Sequence, residues 1–546
     1  MDTTMVAMRD GVDLATDVHL PDGDGPFPAV LSRVPYGKAT SFGTMPDLID
    51  RLHDAGYAFV VQDVRGKWGS GGTFDASDID AEAKDGFDTV QWIADQPWSN
   101  GRVGMWGNSY YGYTCFAAAS LKPPALVCIA PGNQGFDRYN WSYRSGCLKL
   151  ASEGIWGIYM LGRIAADTDV LDLRHLPLAE MAEQAGLPCS YFDDVIAHPE
   201  RAMRYWTARN RLDAMLAIDI PVLHWTGWYD NFTGPMLEEW QWLRDADPSA
   251  RRNHLMIGPW DHYCTSDTTQ RVGLNRLGEG NREHRWQVFL GFFDRYLKEQ
   301  ENGFGAAGLV HYFTLADNGW RDADTWPPEG CALQTWYLHS AGSAGDSLDD
   351  GRLDRDAPDD EPADHCTYDP ADPVAWSEGT DAWRVCQAMD DRQSIEARPD
   401  VLTFTSEPLN EPSEITGPLK ATLHIESDAP DTDFMVALVD VFPDGRVNLI
   451  QDGIQRAALR DQDAGRQLLE PGKVYVIDVD MWSVSYEVPA GHCLRIEISS
   501  SDFPRYDRNP NTDAPFAHSA TTRKAQQTIH HDAARPSHIV LPVISR

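Results

Sequence analysis

The clearest candidate for chemistry in the sequence is a serine flanked by glycines, in the hexapeptide Gly107-Asn108-Ser109-Tyr110-Tyr111-Gly112. It follows the apolar run 103–106, which predicts a buried strand, and it opens the segment 113–120, which is rich in alanine and aromatic residues. A sharp turn between a strand and a helix is what a nucleophilic serine requires, because small neighbours allow the strained backbone to pack closely. The second glycine follows Ser109 by three residues, one more than in the common GxSxG pattern. Ser109 is therefore a candidate nucleophile, with a simple glycine turn as the alternative.

Two further candidates follow predicted strands at the point where each strand ends. Asp230 comes shortly after the apolar run 221–225, and His262 comes shortly after the run 254–257. Because functional groups gather at the carboxyl ends of strands in a parallel sheet, we expect both side chains to lie near Ser109. The chain order serine, aspartate, histidine is also that of the α/β-hydrolase arrangement. The sequence thus predicts a nucleophile, a base and an orienting carboxylate.

Several other assignments stay open from the residues alone. Asp219 and Asp261 are alternative carboxylates, although Asp261 adjoins His262 and an adjacent residue does not easily reach the imidazole Nδ1 atom. Asp230 also suits an Asx turn, and His262 suits a capping or packing role. The sequence has no HExxH zinc motif, no GxxxxGK[ST] phosphate loop and no GxGxxG dinucleotide motif after a strand. It therefore predicts neither a metal nor a cofactor.

The elements that must position these residues change character along the chain. Up to about residue 130, short apolar runs alternate with helical stretches, which is the pattern of βαβ units and a mostly parallel sheet. Beyond about residue 303, side chains alternate with a period of two between turns such as Pro443-Asp444-Gly445, which indicates a β-sandwich. The predicted domains are the first part of an α/β core (1–130), a helical cap (131–215), the second part of the core (216–302) and the sandwich (303–546).

The composition restricts the partners. The 546 residues include 46 Lys plus Arg against 83 Asp plus Glu, which gives a formal net charge of −37. So acidic a chain lacks the basic surface that nucleic acid or an anionic membrane requires. No apolar run approaches the roughly 20 residues of a membrane-spanning helix. We expect a small-molecule ester or amide substrate, no nucleic acid and no membrane partner, while homo-oligomerisation stays open.

The cysteines and the amino terminus bear on the compartment. Nine cysteines are scattered without CxxC spacing, which is typical of reduced packing thiols. Met1-Asp2-Thr3-Thr4 lacks the basic and apolar regions of a secretory signal. These features predict a cytoplasmic protein.

The chain resembles the CocE/NonD hydrolases, the family of bacterial cocaine esterase, α-amino-acid ester hydrolases, glutaryl acylases and X-prolyl dipeptidyl aminopeptidases. The likeness covers nearly the whole chain, and in this family the serine turn has the form GxSYxG, as it does here. The motifs that carry it are Met8-Arg9-Asp10-Gly11, Trp92 to Trp98 with Gly101-Arg102-Val103-Gly104, the Ser109 hexapeptide, Gly258-Pro259-Trp260-Asp261-His262, Asp431-Thr432-Asp433-Phe434 with Asp440 to Gly445, and Ser501-Asp502-Phe503-Pro504.

The resemblance implies a fold and a set of roles. The fold is an α/β-hydrolase core with a helical cap insertion and a C-terminal jelly-roll-like β-sandwich. The roles are Ser109 as nucleophile, His262 as base and Asp230 as the residue that orients it. An oxyanion hole would combine the hydroxyl of Tyr36, from the motif Pro35-Tyr36, with the backbone N–H of Tyr110.

The activity expected from these features is hydrolysis of a carboxylic ester or acyl-amide bond through an acyl-enzyme. An X-prolyl dipeptidyl aminopeptidase is the second hypothesis, and an inactive binding protein with a lectin-like sandwich is a third. Trp228 and Phe232 flank Asp230 and are candidates for an aromatic acyl pocket, although core packing explains them equally well. The predicted cap adds the aromatic residues Trp141, Tyr143, Trp156 and Tyr159.

Overall fold

A ten-stranded mixed sheet forms from the apolar runs in the first 323 residues of the chain. The computed structural model in which it is seen describes residues 2–38, 45–246, 252–346, 348, 350–376, 382–389 and 391–544. The first strands and helices are β1 (Asp2–Ala7), β2 (Asp13–His19), β3 (Phe27–Val34), α1 (Met45–Asp54), β4 (Ala58–Asp63), α2 (Ile79–Ala94), β5 (Ser99–Asn108), α3 (Tyr110–Ala119) and β6 (Leu126–Gly132).

Short helices and one small hairpin follow β6, where the sequence predicts a helical cap. A π-helical segment, Leu150–Gly154, leads directly into α5, and a 3₁₀ turn lies at Leu178–Glu180. The other elements are α4 (Arg138–Ser142), β7 (Tyr143–Arg144), β8 (Cys147–Leu148), α5 (Ile155–Tyr159), α6 (Met181–Gln184), α7 (Ser190–Ile196), α8 (Arg204–Asn210) and α9 (Leu212–Leu216). This insertion connects β6 to the next strand of the large sheet.

The chain then returns to the large sheet. The elements are β9 (Val222–Tyr229), α10 (Thr233–Ala246), β10 (Asn253–Asp261), α11 (Ser266–Thr269), β11 (Arg271–Val272), β12 (Asn275–Arg276), α12 (Asn281–Tyr296), β13 (Val310–Thr314) and β14 (Gly319–Ala323). One face of α12 packs into the core, since Trp286, Phe289 and Phe293 are almost inaccessible to solvent. In the part of the chain that the structure describes, no helix is both long and apolar enough to cross a bilayer.

The strand order explains why distant residues meet. The order across the sheet is β1-β2-β4-β3-β5-β6-β9-β10-β13-β14, and the pairs from β4 through β13 are parallel. The carboxyl ends of β5, β9 and β10 therefore lie at one edge of the sheet. β13 and β14 continue this sheet beyond the predicted boundary after residue 302, because β13 pairs with β10.

The rest of the chain is rich in β-structure, as predicted. The strands are β15 (Cys331–His339), β16 (Arg352–Asp354), β17 (Asp364–Tyr368), β18 (Leu402–Thr405), β19 (Ser413–Ser427), β20 (Asp433–Val441), β21 (Val447–Arg456), β22 (Tyr475–Val488), β23 (Cys493–Ser499), β24 (Ala525–His530) and β25 (His538–Ile544). The helices are α13 (Gln393–Glu396) and 3₁₀ turns at Ala382–Cys386, Ala457–Leu459 and Phe516–His518. Eleven strands form one sheet system, in which β22 pairs with β19. An apolar cluster joins this domain to β9 and β10 of the large sheet.

Candidate active site

Ser109 lies in the turn between β5 and α3 with a strained backbone. Its φ of 58° and ψ of −136° fall in a region that side chains other than glycine rarely adopt. The glycines make this turn feasible, since a Cβ atom on Gly107 would lie 1.8 Å from the carbonyl oxygen of Tyr111. A Cβ atom on Gly112 would lie 2.6 Å from the carbonyl oxygen of Gly132 at the end of β6. The spacing that departs from GxSxG therefore reflects close packing of α3 against β6.

The three candidate residues form a continuous chain of hydrogen bonds. Nδ1 of His262 lies 2.7 Å from Oδ2 of Asp230, and Nε2 lies 3.0 Å from Oγ of Ser109. An ionised carboxylate can only accept, so Nδ1 carries the proton and Nε2 is left to accept from the serine hydroxyl. All three side chains are buried. The turns after β5, β9 and β10 thus bring together the residues that the sequence analysis selected.

The alternative carboxylates are engaged elsewhere. Asp261 accepts hydrogen bonds from the backbone N–H and the hydroxyl of Thr265, and Asp219 is an exposed residue paired with a surface lysine. Asp230 combines two of the roles considered from the sequence. Its Oδ1 accepts a hydrogen bond of 2.7 Å from the backbone N–H of Phe232, as in an Asx turn, while Oδ2 contacts the imidazole. The turn therefore fixes the carboxylate that faces His262.

Tyr36 places its hydroxyl at the same end of the sheet. Its oxygen accepts a hydrogen bond of 3.0 Å from Nε1 of Trp156, and the hydroxyl is also hydrogen-bonded to Ser109. Because burial raises the pKa of Tyr36 well above its ordinary value, the hydroxyl keeps its proton. Tyr110 is the first residue of α3, where a backbone N–H has no partner within the helix. Two donors therefore lie beside Ser109.

The charges around His262 favour its protonated form. Burial alone would lower the pKa of His262, but the carboxylates of Asp230, Glu153 and Asp261 together raise it above its ordinary value. An imidazole in this field readily accepts a proton from a hydroxyl beside it. The electrostatics are those of a general base.

A cavity of about 510 Å³ lies beside Ser109 and His262. This volume is in the usual range for small-molecule sites, roughly 300–1,000 Å³. Of the two candidates for substrate binding, Phe232 lines it, together with the cap residues Trp156 and Tyr159. The other lining residues are Tyr36, Ser152, Glu153, Asn231, Tyr263, Trp383 and Cys386.

Three aromatic residues considered for the pocket lie elsewhere. Trp228 faces away from the cavity and donates a hydrogen bond from Nε1 to the carbonyl oxygen of Phe313 in β13. It flanks Asp230 in sequence but is buried, and β10 lies between its own strand, β9, and β13. Trp141 and Tyr143 are likewise buried in packing contacts and are absent from the cavity lining. Of the two alternatives for Trp228, the structure therefore favours core packing, and its place in the acyl pocket is corrected.

Six lining residues were not found by sequence reasoning, among them Glu153, Tyr263, Trp383 and Cys386. Glu153 comes from the π-helical segment and Tyr263 directly follows His262, whereas Trp383 and Cys386 come from a 3₁₀ turn in the C-terminal half. The backbone N–H of His262 donates a hydrogen bond of 3.1 Å to the carbonyl oxygen of Cys386. None of these residues belongs to a motif with a known spacing. For Glu153 the sequence did contain a signal, since it is an acidic residue among the aromatic residues of the cap.

Within the described residues, no group of three or more His, Cys, Asp and Glu side chains is arranged to hold a metal ion.

Comparison with known families gives two matches that together span most of the chain. A family described as X-Pro dipeptidyl-peptidase (S15 family) matches residues 10–264. A family described as X-Pro dipeptidyl-peptidase C-terminal non-catalytic domain matches residues 302–540.

Individual relatives match this chain over nearly their full lengths. Cocaine esterase of Rhodococcus sp. (strain MB1 Bresler) is 35% identical over 572 residues, which cover 99% of this chain and 98% of the relative. The crystal structure of an aminopeptidase from a marine sediment Thaumarchaeota archaeon is 26% identical with a TM-score of 0.88, and the match covers 100% of this chain and 96% of that one. An α-amino acid ester hydrolase is 26% identical with a TM-score of 0.87, covering 99% and 96% of the two chains. These likenesses confirm the predicted α/β-hydrolase core with its C-terminal β-rich domain, and the chain belongs to the CocE/NonD family of serine hydrolases that act on ester and acyl bonds.

Proposed function

We propose that this protein hydrolyses carboxylic esters, with Ser109 as nucleophile, His262 as general base and Asp230 as the residue that orients the base. The observation that carries the proposal is the unbroken hydrogen-bond chain from Asp230 through His262 to Ser109. As Oγ of Ser109 attacks the substrate carbonyl carbon, its proton passes to Nε2 of His262. Asp230 stabilises the imidazolium that forms.

The remaining steps need the same groups. The tetrahedral intermediate collapses when the C–O bond to the leaving group breaks, and His262 returns its proton to the departing alcohol. Water then attacks the carbonyl carbon of the acyl-serine ester while His262 takes a proton from it. Collapse of this second tetrahedral state breaks the bond to Oγ of Ser109, which regains its proton from His262 as the carboxylic acid leaves. The hydroxyl of Tyr36 and the backbone N–H of Tyr110 are the proposed donors to the oxyanion in both tetrahedral states.

The walls of the cavity suggest the class of acyl group. Trp156, Tyr159, Phe232 and Trp383 give most of its surface an aromatic character. Such walls favour an apolar or aryl group, because burying it removes apolar surface from water. An ester with an apolar acyl chain is therefore the preferred substrate, and a small-molecule substrate is the partner that the cavity volume suits.

The test is a Ser109→Ala variant probed with a fluorophosphonate and with p-nitrophenyl esters. We expect the wild-type protein to be labelled on Ser109 and to hydrolyse the esters with a burst of p-nitrophenol. The variant should lose both labelling and turnover while it keeps its fold by circular dichroism. Labelling of the folded variant at the wild-type rate would refute the assignment.

An X-prolyl dipeptidyl aminopeptidase is the second candidate, favoured by the two family matches over residues 10–264 and 302–540. Xaa-Pro-p-nitroanilides assayed beside the p-nitrophenyl esters separate the two activities. A higher kcat/KM on the anilides would select the peptidase. The third hypothesis, an inactive binding protein, is disfavoured by the connected hydrogen bonds at Ser109.

We also propose a cytoplasmic location. All nine cysteines are free, and most are buried, which suits a reducing compartment. Fractionation of the producing cells tests this location. Recovery in the culture medium or in an extracytoplasmic fraction would contradict it.

A further inference from the structure

Lys149 is a buried cation that the proposed mechanism does not use. It directly precedes the π-helical segment Leu150–Gly154 of the cap and is almost inaccessible to solvent. Its ammonium donates hydrogen bonds to two backbone carbonyls, 2.7 Å to that of Asn140 in α4 and 3.0 Å to that of Asn231 in the turn after β9. Asn231 directly follows Asp230, so this cation of the cap holds the turn that carries the carboxylate of the proposed triad.

One peptide group accepts this hydrogen bond and also binds Asp230. The peptide between Asn231 and Phe232 accepts from the ammonium through its C=O group, while its N–H group donates a hydrogen bond of 2.7 Å to Oδ1 of Asp230. This peptide is planar and trans, so its C=O and N–H bonds point in opposite directions. An ammonium that fixes the carbonyl therefore also fixes the N–H bond that reaches the carboxylate.

The hydrogen bond at Oδ1 decides which carboxylate oxygen faces the base. With Oδ1 held by the turn, Oδ2 is left to accept from Nδ1 of His262, 2.7 Å away. Hydrogen bonds in series polarise one another, so a positive charge on the carbonyl side strengthens the N–H bond to Asp230. The ammonium of Lys149 thus reaches His262 through one peptide group and one carboxylate.

The other surroundings of the ammonium also belong to this turn. It lies 4.4 Å from the centre of the Phe232 ring, where a cation is attracted to the aromatic face. Burial lowers the pKa of Lys149, and the carboxylates of Glu153 and Asp230 act against that decrease. Burying an ammonium is costly, and the turn that it organises accounts for its presence here.

We propose that Lys149 is a positioning residue for the hydrolysis, which acts through the peptide between Asn231 and Phe232 on Asp230. This inference rests on the proposed function and adds to it a part of the machinery that the cap supplies. Lys149 does not line the substrate cavity, so it acts on the reaction only through the turn. Its removal should therefore matter only while Asp230 is present to be positioned.

The experiment is a double-mutant cycle between Lys149 and Asp230. Lys149→Met keeps the unbranched stem and removes the ammonium, and Lys149→Leu is a second apolar replacement. Each is made in the wild-type chain and together with Asp230→Asn. The readout is the rate constant for labelling of Ser109 by a fluorophosphonate, followed by mass spectrometry. Labelling requires the activated serine, and its rate constant does not depend on the fraction of enzyme that folds.

We expect either replacement of Lys149 to slow labelling about ten- to hundredfold in the wild-type chain, since a hydrogen bond from a charged donor is lost. Combined with Asp230→Asn, the same replacement should slow labelling by no more than about twofold beyond Asp230→Asn alone, because the effects of residues that act as a unit do not add.

Lys67→Met is the matched control. Lys67 is also buried, donates to two backbone carbonyls of the cap, 2.6 Å to that of Met160 and 2.9 Å to that of Gly162, and lies 4.9 Å from the centre of the Phe74 ring. It makes the same kinds of contact with residues outside the turn of Asp230. Any effect of Lys67→Met should be the same factor with and without Asp230→Asn.

The outcomes separate this inference from the proposed function. A wild-type labelling rate in Lys149→Met would overturn the inference, and so would an equal loss with and without Asp230→Asn. A loss in Lys67→Met that also disappears in Asp230→Asn would assign the effect to loosening of the cap and overturn the inference as well. Absence of Ser109 labelling in the wild type, or a wild-type rate in Asp230→Asn alone, would instead refute the proposed function.

Discussion

The indole Nε1 atom of Trp156 donates a hydrogen bond of 3.0 Å to the hydroxyl oxygen of Tyr36. An indole N–H can only donate, so it occupies a lone pair of the phenol oxygen and leaves the phenol proton to point elsewhere. That proton is available to Ser109 and to an oxyanion formed there. A residue of the cap thus orients a donor that the large sheet supplies.

Replacing Tyr36 with phenylalanine should preserve folding and reduce turnover. One of the two proposed oxyanion donors is then lost, which costs roughly 10²–10³ in kcat in other hydrolases. Steady-state kinetics with p-nitrophenyl butyrate measure the loss, with the enzyme quantified by the fluorophosphonate titre. A kcat within a factor of about two of the wild type would remove Tyr36 from the oxyanion hole.

Trp156→Phe should have a smaller effect in the same direction. The phenol remains but loses the bond that orients it, and one hydrogen bond contributes about 1 kcal/mol, so we expect kcat to fall about fivefold. The control is Trp141→Phe, which loses a comparable bond, 3.0 Å from Nε1 to the carbonyl oxygen of Gly135, away from the cavity. Equal losses in the two variants would point to a general packing defect.

Asp230→Asn should lower kcat by about 10⁴, since an amide can stabilise the wrong imidazole tautomer and cannot stabilise the imidazolium. Asp219→Asn is the matched control, because Asp219 is an exposed aspartate that loses only a surface ion pair. Stopped-flow measurement of the p-nitrophenol burst tests both variants. Retention of a fast burst in Asp230→Asn would favour a different carboxylate.

The pH dependence of kcat/KM should report His262. The neutral imidazole accepts the serine proton and the imidazolium cannot, so activity falls as the pH decreases through the pKa of His262. Because Asp230, Glu153 and Asp261 outweigh burial and raise this pKa, the midpoint should lie above the ordinary value of about 6.5. Glu153→Gln should move the midpoint to lower pH. A profile that stays flat down to about pH 5 would argue against a histidine base.

Gly107→Ala should destabilise the serine turn. The added methyl group would lie 1.8 Å from the carbonyl oxygen of Tyr111, so the backbone of α3 must move. We expect the free energy of unfolding to fall by about 1–3 kcal/mol, together with a lower fluorophosphonate titre. Gly278→Ala is the control, since no described atom beyond its two chain neighbours lies within 4 Å of the position that its added methyl group would take. Urea denaturation of both variants gives the comparison.

The sequence was sufficient to select the candidate residues that directly follow the ends of strands. Ser109, Asp230 and His262 each follow a run of buried residues, and parallel strands place their carboxyl ends at one edge whatever lies between them. Tyr36 was identified only through the resemblance, because a tyrosine after a strand has no distinctive spacing of its own. Their proposed roles await the variants described above.

Orientation and long-range packing explain what the sequence did not reveal. Trp228 and Phe232 both flank Asp230, yet Trp228 belongs to β9 and faces β13, whereas Phe232 lies in the turn and faces the cavity. Trp383 and Cys386 reach the cavity from a distant part of the chain. The sequence also did not show where the first sheet ends, because β13 and β14 follow a loop and resemble the strands of the second domain.

The contribution of Trp383 and Cys386 has a consequence for synthesis on the ribosome. A nascent chain that has emerged as far as α11 already contains Ser109, Asp230 and His262, but the segment that closes the cavity and accepts the hydrogen bond from His262 has not yet been translated. We expect such an intermediate to lack esterase activity. The enzyme would then gain its activity only late in translation, when the second half of the chain has docked.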